Sequence, residues 1–257
     1  MSFATACSLS EDCRSALEAV CSATASQLSG ARPDLSLAFV TRPHAEDFGL
    51  IVETLMEKTG SRHLLACSAE SVVFNEQEIE EGPAISLWSG VLSGAELESF
   101  HVEFERTPDG PICSGLPDVP ADSNDLRAVV MLADPFTFAV DTLIDRLADD
   151  VPGVPLLGGM ASGGSGPGEN RLGWNGNVVS GGGVGVVIRG GPRIQSIVSQ
   201  GCRPIGSTFV ITKADQNIVF ELGGKTALSR LEETYAGLSE RDRLLIRHGL
   251  HLGVVMD

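Results

Sequence analysis

The sequence predicts a mixed α+β protein. It reads as two pseudo-symmetric β-α-β-β-β repeats with mixed sheets and outer helices, at about residues 35–105 and 127–199 of a domain spanning 1–200, then the beginning of a second, truncated α/β region at 201–257. Three observations carry this reading. Short apolar runs of strand length alternate with segments of helical period. Their order recurs: a shift of 92 positions lays Leu37-Ala38-Phe39-Val40-Thr41 on Val129-Val130-Met131-Leu132-Ala133, Pro43 on Pro135 and Leu64-Leu65 on Leu156-Leu157. Eight extra residues then enter the second copy, and a shift of 100 lays Ser86-Leu87-Trp88-Ser89-Gly90 on Val186-Val187-Ile188-Arg189-Gly190. Between the copies, residues 107–124 hold four prolines, two glycines and no periodicity, which marks a linker. Each copy presents an apolar face that it cannot cover alone, so the two must share a core. The seam between them is the natural place for a ligand.

Residues 11–29 carry Leu17, Val20, Cys21 and Leu28 on one helical face, with Ser8 and Glu11 as a capping box and Gly30 behind. An apolar β run follows at 35–41. Pro43 opens a helix bearing Phe48, Ile51, Val52, Leu55 and Met56, closed by Gly60. Strands are predicted at 63–67, 83–89 and 98–105, the last alternating through Phe100, Val102 and Phe104. In the second copy a strand at 126–132 leads to Asp134 as N-cap and Pro135 in the first turn of a helix carrying Phe136, Val140, Leu143, Ile144 and Leu147. Strands at 155–157, 184–188 and 193–198 complete the unit. Beyond Gly201 come a hairpin around Ala214-Asp215, helices at 228–235 and 239–248, and an apolar strand at 250–256 that ends without a partner.

The composition excludes several classes. Eighteen basic against 34 acidic residues give a formal charge of −16, so neither nucleic acid nor an anionic membrane surface is expected as a partner. Six cysteines lie scattered without a C-x-x-C pair, and no basic or long apolar leader follows Met1. Reduced thiols and a cytoplasmic location are the expectation. No metal and no cofactor are expected, since His and Cys never approach ligand spacing.

Four segments are candidates for chemistry. Fourteen glycines fall in the 34 residues from Gly158 to Gly191, including Gly158-Gly159 and Gly163-Gly164. Such a stretch can form an anion-binding nest or simply turn tightly; it matches no phosphate-loop or dinucleotide signature. The matching turn of the first copy, Ala66-Cys67-Ser68-Ala69-Glu70, sets a thiol, a hydroxyl and a carboxylate after a buried strand. Cys67 is either structural or a nucleophile, with His63 on the same strand face. Gly201-Cys202-Arg203-Pro204-Ile205-Gly206 is a compact turn whose Arg203 suits a carboxylate ligand or a structural ion pair. Trp174-Asn175-Gly176 reads as an aromatic wall or as a hairpin turn. The predicted pocket is lined by Cys67, Ser68, Glu70, Gly158, Gly159 and Ser162, with Cys202 and Arg203 beside it and Arg203 at the rim.

The turn Ala66-Cys67-Ser68, the runs Gly82-Pro83-Ala84-Ile85-Ser86-Leu87 and Leu157-Gly158-Gly159-Met160-Ala161-Ser162, and Gly201-Cys202-Arg203-Pro204-Ile205-Gly206 with Glu221-Leu222-Gly223-Gly224-Lys225-Thr226-Ala227 resemble the FIST sensory domain. The resemblance covers the FIST N region over most of 30–200 and the start of the FIST C region from about 201. It departs at Ala66, where many members have glycine. It implies an intracellular sensor of small molecules, amino acids or related metabolites; since spacing assembles no acid, base and nucleophile, the leading reading is a non-catalytic one, in which a downstream signalling protein reads the change. The alternatives are a cysteine-dependent enzyme acting on a small amide or ester through Cys67 or Cys202, and a protein-interaction scaffold.

Overall fold

The computed structural model describes residues 1–107, 110–117, 125–197, 204–215, 218–246, 250, 251 and 253. Two units divide it, 1–196 and 197–257. In the first, β1 (Ser2–Ser8) leads to α1 (Cys13–Gln27), whose N-cap is Asp12: its carboxylate accepts the Ser15 N–H at 2.7 Å, where a Ser8/Glu11 box was expected. β2 (Leu35–Thr41) is followed by a 3-10 turn at Arg42–Asp47 holding Pro43, then α2 (Phe48–Thr59), which Gly60 ends at φ 63°. β3 (His63–Ala69), the small hairpin of β4 (Val72–Phe74) and β5 (Gln77–Ile79), β6 (Ile85–Val91), β7 (Ala95–Thr107) and β8 (Gly110–Ser114) come next. The second half holds β9 (Leu126–Ala133), α3 (Val140–Asp150), β10 (Leu156–Met160), the hairpin of β11 (Leu172–Trp174) and β12 (Asn177–Val179), and β13 (Gly183–Gly190).

Two mixed sheets result, in the orders β1-β6-β2-β3-β11-β12 and β10-β9-β13-β7-β8. In the first, β2 runs parallel to β3 and antiparallel to β6; in the second, β9 runs parallel to β10 and antiparallel to β13. The three-strand pattern is the same. The expected repeat spans do not map strand for strand, however. β7, read as the last strand of the first copy, pairs with β13 in the second sheet, while β1 takes the matching place beside β6. Residues 193–197 form no strand, and the expected linker contains β8, a partner of β7. β11, from the second half, pairs with β3 of the first.

Alternation of side chains sorts the strands into three apolar layers. Ala38, Val40, Leu64 and Ala66 turn outward against α1 and α2. Val129, Met131 and Val187 turn outward against Leu143 of α3. Leu35, Leu65, Cys67 and Leu172 of the first sheet meet Leu132, Val184, Val186 and Ile188 of the second. The layers are therefore helix, sheet, sheet, helix, with the inner core between the sheets. α3 begins at Val140 rather than after Asp134, because the chain at 134–138 makes a turn in which the Asp134 carbonyl accepts the Phe138 N–H at 3.1 Å.

The second unit contains β14 (Ile211–Asp215), β15 (Ile218–Leu222), β16 (Lys225–Thr226), α4 (Ala227–Ala236) and α5 (Glu240–Ile246). Thr226 caps α4 by accepting the Ser229 N–H. Leu250 and His251 are not in a strand; most of the strand expected at 250–256 lies outside the described residues. No described helix is long and apolar enough to cross a membrane.

Truncating Leu65, fully buried between the sheets, is expected to cost about 2–5 kcal/mol in urea denaturation, whereas Leu9→Ala at an exposed site should stay within about 0.5 kcal/mol.

Candidate functional site

The C-terminal ends of β3, β9 and β10 converge, because the Ser68 carbonyl accepts the Ser162 and Gly163 N–H groups, both at 3.2 Å, and the Ala133 carbonyl accepts the Ala161 N–H. A buried polar chain runs through this junction. The Ser68 hydroxyl accepts the Arg171 N–H at 2.9 Å and donates to Asn170 Oδ1 at 3.3 Å. Asn170 Nδ2 donates to Asp134 Oδ1 at 2.9 Å, and the Thr137 hydroxyl donates to Asp134 Oδ2 at 2.7 Å. Thr137 Oγ in turn accepts the Gly182 N–H at 2.8 Å. Ser68, Asn170 and Asp134 are almost wholly shielded from water. The chain thus links the end of β3 in one sheet to the ends of β9 and β13 in the other.

At its far end lies an open groove of about 640 Å³, lined among others by Glu103, Glu105, Ser114, Thr137, Ser180 and Gly182. No Lys or Arg is among its described lining residues. Beside it His101 stacks on Trp174, ring centroids 5.0 Å apart, with Nε2 3.9 Å from Glu103 Oε1 and no hydrogen-bond partner among the described residues. At the opposite end of β3, Asn175 fixes a second cluster. Its Oδ1 accepts the Leu64 N–H, so its Nδ2 must donate, and it does so to Ser99 Oγ at 2.5 Å. The Ser99 hydroxyl is left to donate to His63 Nδ1 at 3.1 Å. Burial lowers the His63 pKa, which keeps this ring neutral and able to accept.

The structure brings Ser68, Glu70 and Ser162 together, the Glu70 N–H donating to Ser162 Oγ at 3.0 Å. It sets Cys67 apart, in the inner core, where burial pushes its pKa up to about 12. Its expected partner His63 bonds Ser99 instead. Gly158 and Gly159 sit on the exposed edge of β10. The groove above is lined by none of these six. Cys202 and Arg203 lie outside the described residues. The five described cysteines, Cys7, Cys13, Cys21, Cys67 and Cys113, are free thiols.

The glycine loop is committed internally. The Ala161, Ser162 and Gly163 N–H groups bond strand-end carbonyls, Gly164 bonds Asn170 Oδ1 at 2.7 Å, and Ser165 bonds Glu169 Oε2 at 2.7 Å. A Cβ on Gly163 would stand 2.6 Å from Ser68 Cβ, and one on Gly164 would stand 2.6 Å from Glu169 Cβ. Close passage of chains explains these glycines, not an anion nest. Trp174-Asn175-Gly176 is the β11-β12 turn, with Asn175 at φ 46° and Gly176 at φ 86°.

A family model for the FIST N domain matches residues 34–225. The chain belongs to the FIST family. That places it among sensory domains of signal transduction. A relative in Mycobacterium bovis, an uncharacterized protein, is 36% identical over 231 residues, which cover 90% of this chain and 58% of that protein. An uncharacterized protein of Mycobacterium tuberculosis is 34% identical over 244 residues, 95% of this chain and 62% of its own length. The chain therefore spans about three fifths of these relatives. Sequence reasoning missed Asp134, Thr137, Asn170 and the glutamate-lined groove. Asp134 read as a helix cap, and only the fold brings Asn170 to it.

Two measurements test the site. Asn170→Ala leaves the buried Asp134 carboxylate short of a donor and should cost about 1–3 kcal/mol in urea denaturation. Cys67 keeps its proton in the fold up to about pH 12 but loses it near 9 when unfolded, so its stabilising contribution is whole below pH 9 and falls as pH rises toward 12. Urea titrations at pH 8 and 10.5 should show a smaller loss for Cys67→Ala than for the parent, by up to about 1.4 kcal/mol per pH unit.

Proposed function

We propose that this chain is a non-catalytic, small-molecule-sensing domain whose ligand is an amino acid or a related amine-bearing metabolite, read by a downstream signalling protein. The observation that carries the reading is that the buried chain Ser68–Asn170–Asp134–Thr137 joins the two sheets and ends at a groove bearing Glu103 and Glu105. Two carboxylates without a lining cation favour an ammonium group. The Thr137 hydroxyl is both a wall of the groove and the last member of the chain. A ligand that pulls on Thr137 therefore changes the hydrogen bonding of Asp134, and through Asn170 that of Ser68 in the other sheet. That is the differential contact a conformational readout requires. Ser68, Glu70 and Ser162 belong to this reading as the junction that moves, with Gly158 and Gly159 on the neighbouring edge.

Cysteine catalysis receives no support from the chemistry of Cys67. A thiol whose pKa stands at about 12 supplies almost no thiolate at neutral pH, and the thiolate is the nucleophile.

A thermal-shift screen of the twenty amino acids and common amines should find a ligand that raises the melting temperature. Calorimetry with that ligand should then show Glu103→Gln or Glu105→Gln weakening binding about tenfold, the loss of one charge-assisted contact. Equal affinities for both variants and the parent would place the ligand elsewhere.

A further inference from the structure

β10 is an edge strand that the rest of the fold equips for a partner. Its inward bonds are made through odd-numbered residues: the Val129 N–H bonds the Pro155 carbonyl and the Ala161 N–H bonds the Ala133 carbonyl. By the two-residue period, Leu156, Gly158 and Met160 turn their N–H and C=O groups away from β9. At the shift of 92 these residues correspond to Leu64, Ala66 and Ser68 of β3. Those are the residues through which β3 holds the β11-β12 hairpin: the Leu64 carbonyl accepts the Asn175 N–H, Ala66 pairs with Gly173, and the Ser68 N–H bonds the Arg171 carbonyl.

A second copy of that hairpin exists. At the shift of 100, Phe74-Asn75 of β4-β5 falls on Trp174-Asn175 of β11-β12. Both hairpins pair the aromatic with the residue three further on, Phe74 with Gln77 and Trp174 with Asn177, and both hold the asparagine at positive φ, 50° and 46°. Asn175 reaches Ser99 on β7; Asn75 reaches Thr5 on β1, the strand in the matching place of the other sheet. Yet β4 and β5 form a sheet of their own and pair with nothing else.

We propose that the β4-β5 hairpin is a strap that closes by laddering onto the free edge of β10, antiparallel, with Val72 opposite Gly159, Val73 opposite Gly158 and Phe74 opposite Leu157. Two independent lines give this register. Carrying the pairing of Leu172 with Cys67 over by the two shifts sets Val72 against Gly159. The chain just before the strap already lies along the chain just after β10, through Ser68 O with Gly163 N, and four steps along each strand from that contact arrive at the same pair.

Exposed apolar side chains fit the closed form. Gly173 of the docked hairpin packs so tightly on Val52 of α2 that a Cβ there would stand 2.7 Å away. The counterparts are Val73, now 68% exposed, and Ile144 of α3, 48% exposed; because Val73 has a side chain where Gly173 has none, the closed strap stands farther from α3 than the docked hairpin stands from α2, and closure covers both side chains. Val72 is buried now in a small cluster of its own beside Phe39 and Ala84, whereas Leu172 of the docked hairpin lies in the inner layer, so closure carries Val72 from one apolar cluster to the other.

Pairs that do not exchange backbone bonds bring Cα atoms to about 4.5 Å, within disulfide range. Val72 with Gly159 is such a pair, since Gly159 bonds inward to β9, and a Cβ on Gly159 meets nothing within 4 Å. Under mild oxidation the Val72→Cys/Gly159→Cys protein should form an intrachain 72–159 disulfide, mapped by peptide mass, at least tenfold faster than the out-of-register Phe74→Cys/Gly159→Cys protein. If burial of position 72 makes that variant misfold, Phe74→Cys/Leu157→Cys is the second in-register pair, read against the same control. Equal rates in and out of register, bonds only between two copies, or no bond in either in-register pair would overturn the strap.

Discussion

The Asp134 carboxylate is the constraint around which this fold is arranged. It sits fully shielded at the end of β9, held among the described residues by the amide of Asn170 and the hydroxyl of Thr137 rather than by a cation. Removing a charge from water costs several kcal/mol unless its oxygens are satisfied, so everything that delivers those two donors is obligatory. Asn170 must arrive from the glycine loop, which forces that loop to cross the ends of β3 and β10. Thr137 must arrive from a turn, which delays α3. The inner apolar layer holds the sheets face to face, but it is non-directional. The polar chain decides which ends align.

How much of this was legible in the residues follows from which faces are buried. β2, β3, β9 and β13 are covered on both faces, so each reads as an unbroken apolar run, and each was placed within two or three residues. β1 was not: Ser2-Phe3-Ala4-Thr5-Ala6-Cys7-Ser8 is built of small residues whose strand state depends on pairing with β6. The three-residue strands of the two hairpins are too short for any period to register. The alternation of Phe100, Val102 and Phe104 announced a strand correctly but contained nothing about which sheet it would join. Pairing partners are a property of the whole chain.

The candidate site divides the same way. Ser68, Glu70 and Ser162 were found because they flank recognisable strand ends. Cys67 was drawn in with its neighbour, although adjacent residues of a strand face opposite ways, and the thiol lies in the core while the hydroxyl joins the polar chain. Asp134 and Asn170 are 36 positions apart and meet only after both sheets have formed. The second unit, by contrast, shows one described buried apolar residue, Leu222, so its amphipathic helices were legible from spacing while its core was not.

The committed amides of the glycine loop bear on how this family varies. Gly163 and Gly164 are small because Ser68 and Glu169 pass within van der Waals reach of where a Cβ would go. At 163 that volume is shared between partners far apart in the chain. A homologue that carries alanine at 163 must give up the hydroxymethyl group at 68 or part the two strand ends, whereas at 164 the backbone of Glu169 and Asn170 also stands within 3 Å of where a Cβ would go and the loop itself must shift. Substitutions at 163 and 68 should therefore appear in pairs across an alignment, tracing the contact between sheets rather than the identity of whatever the protein senses.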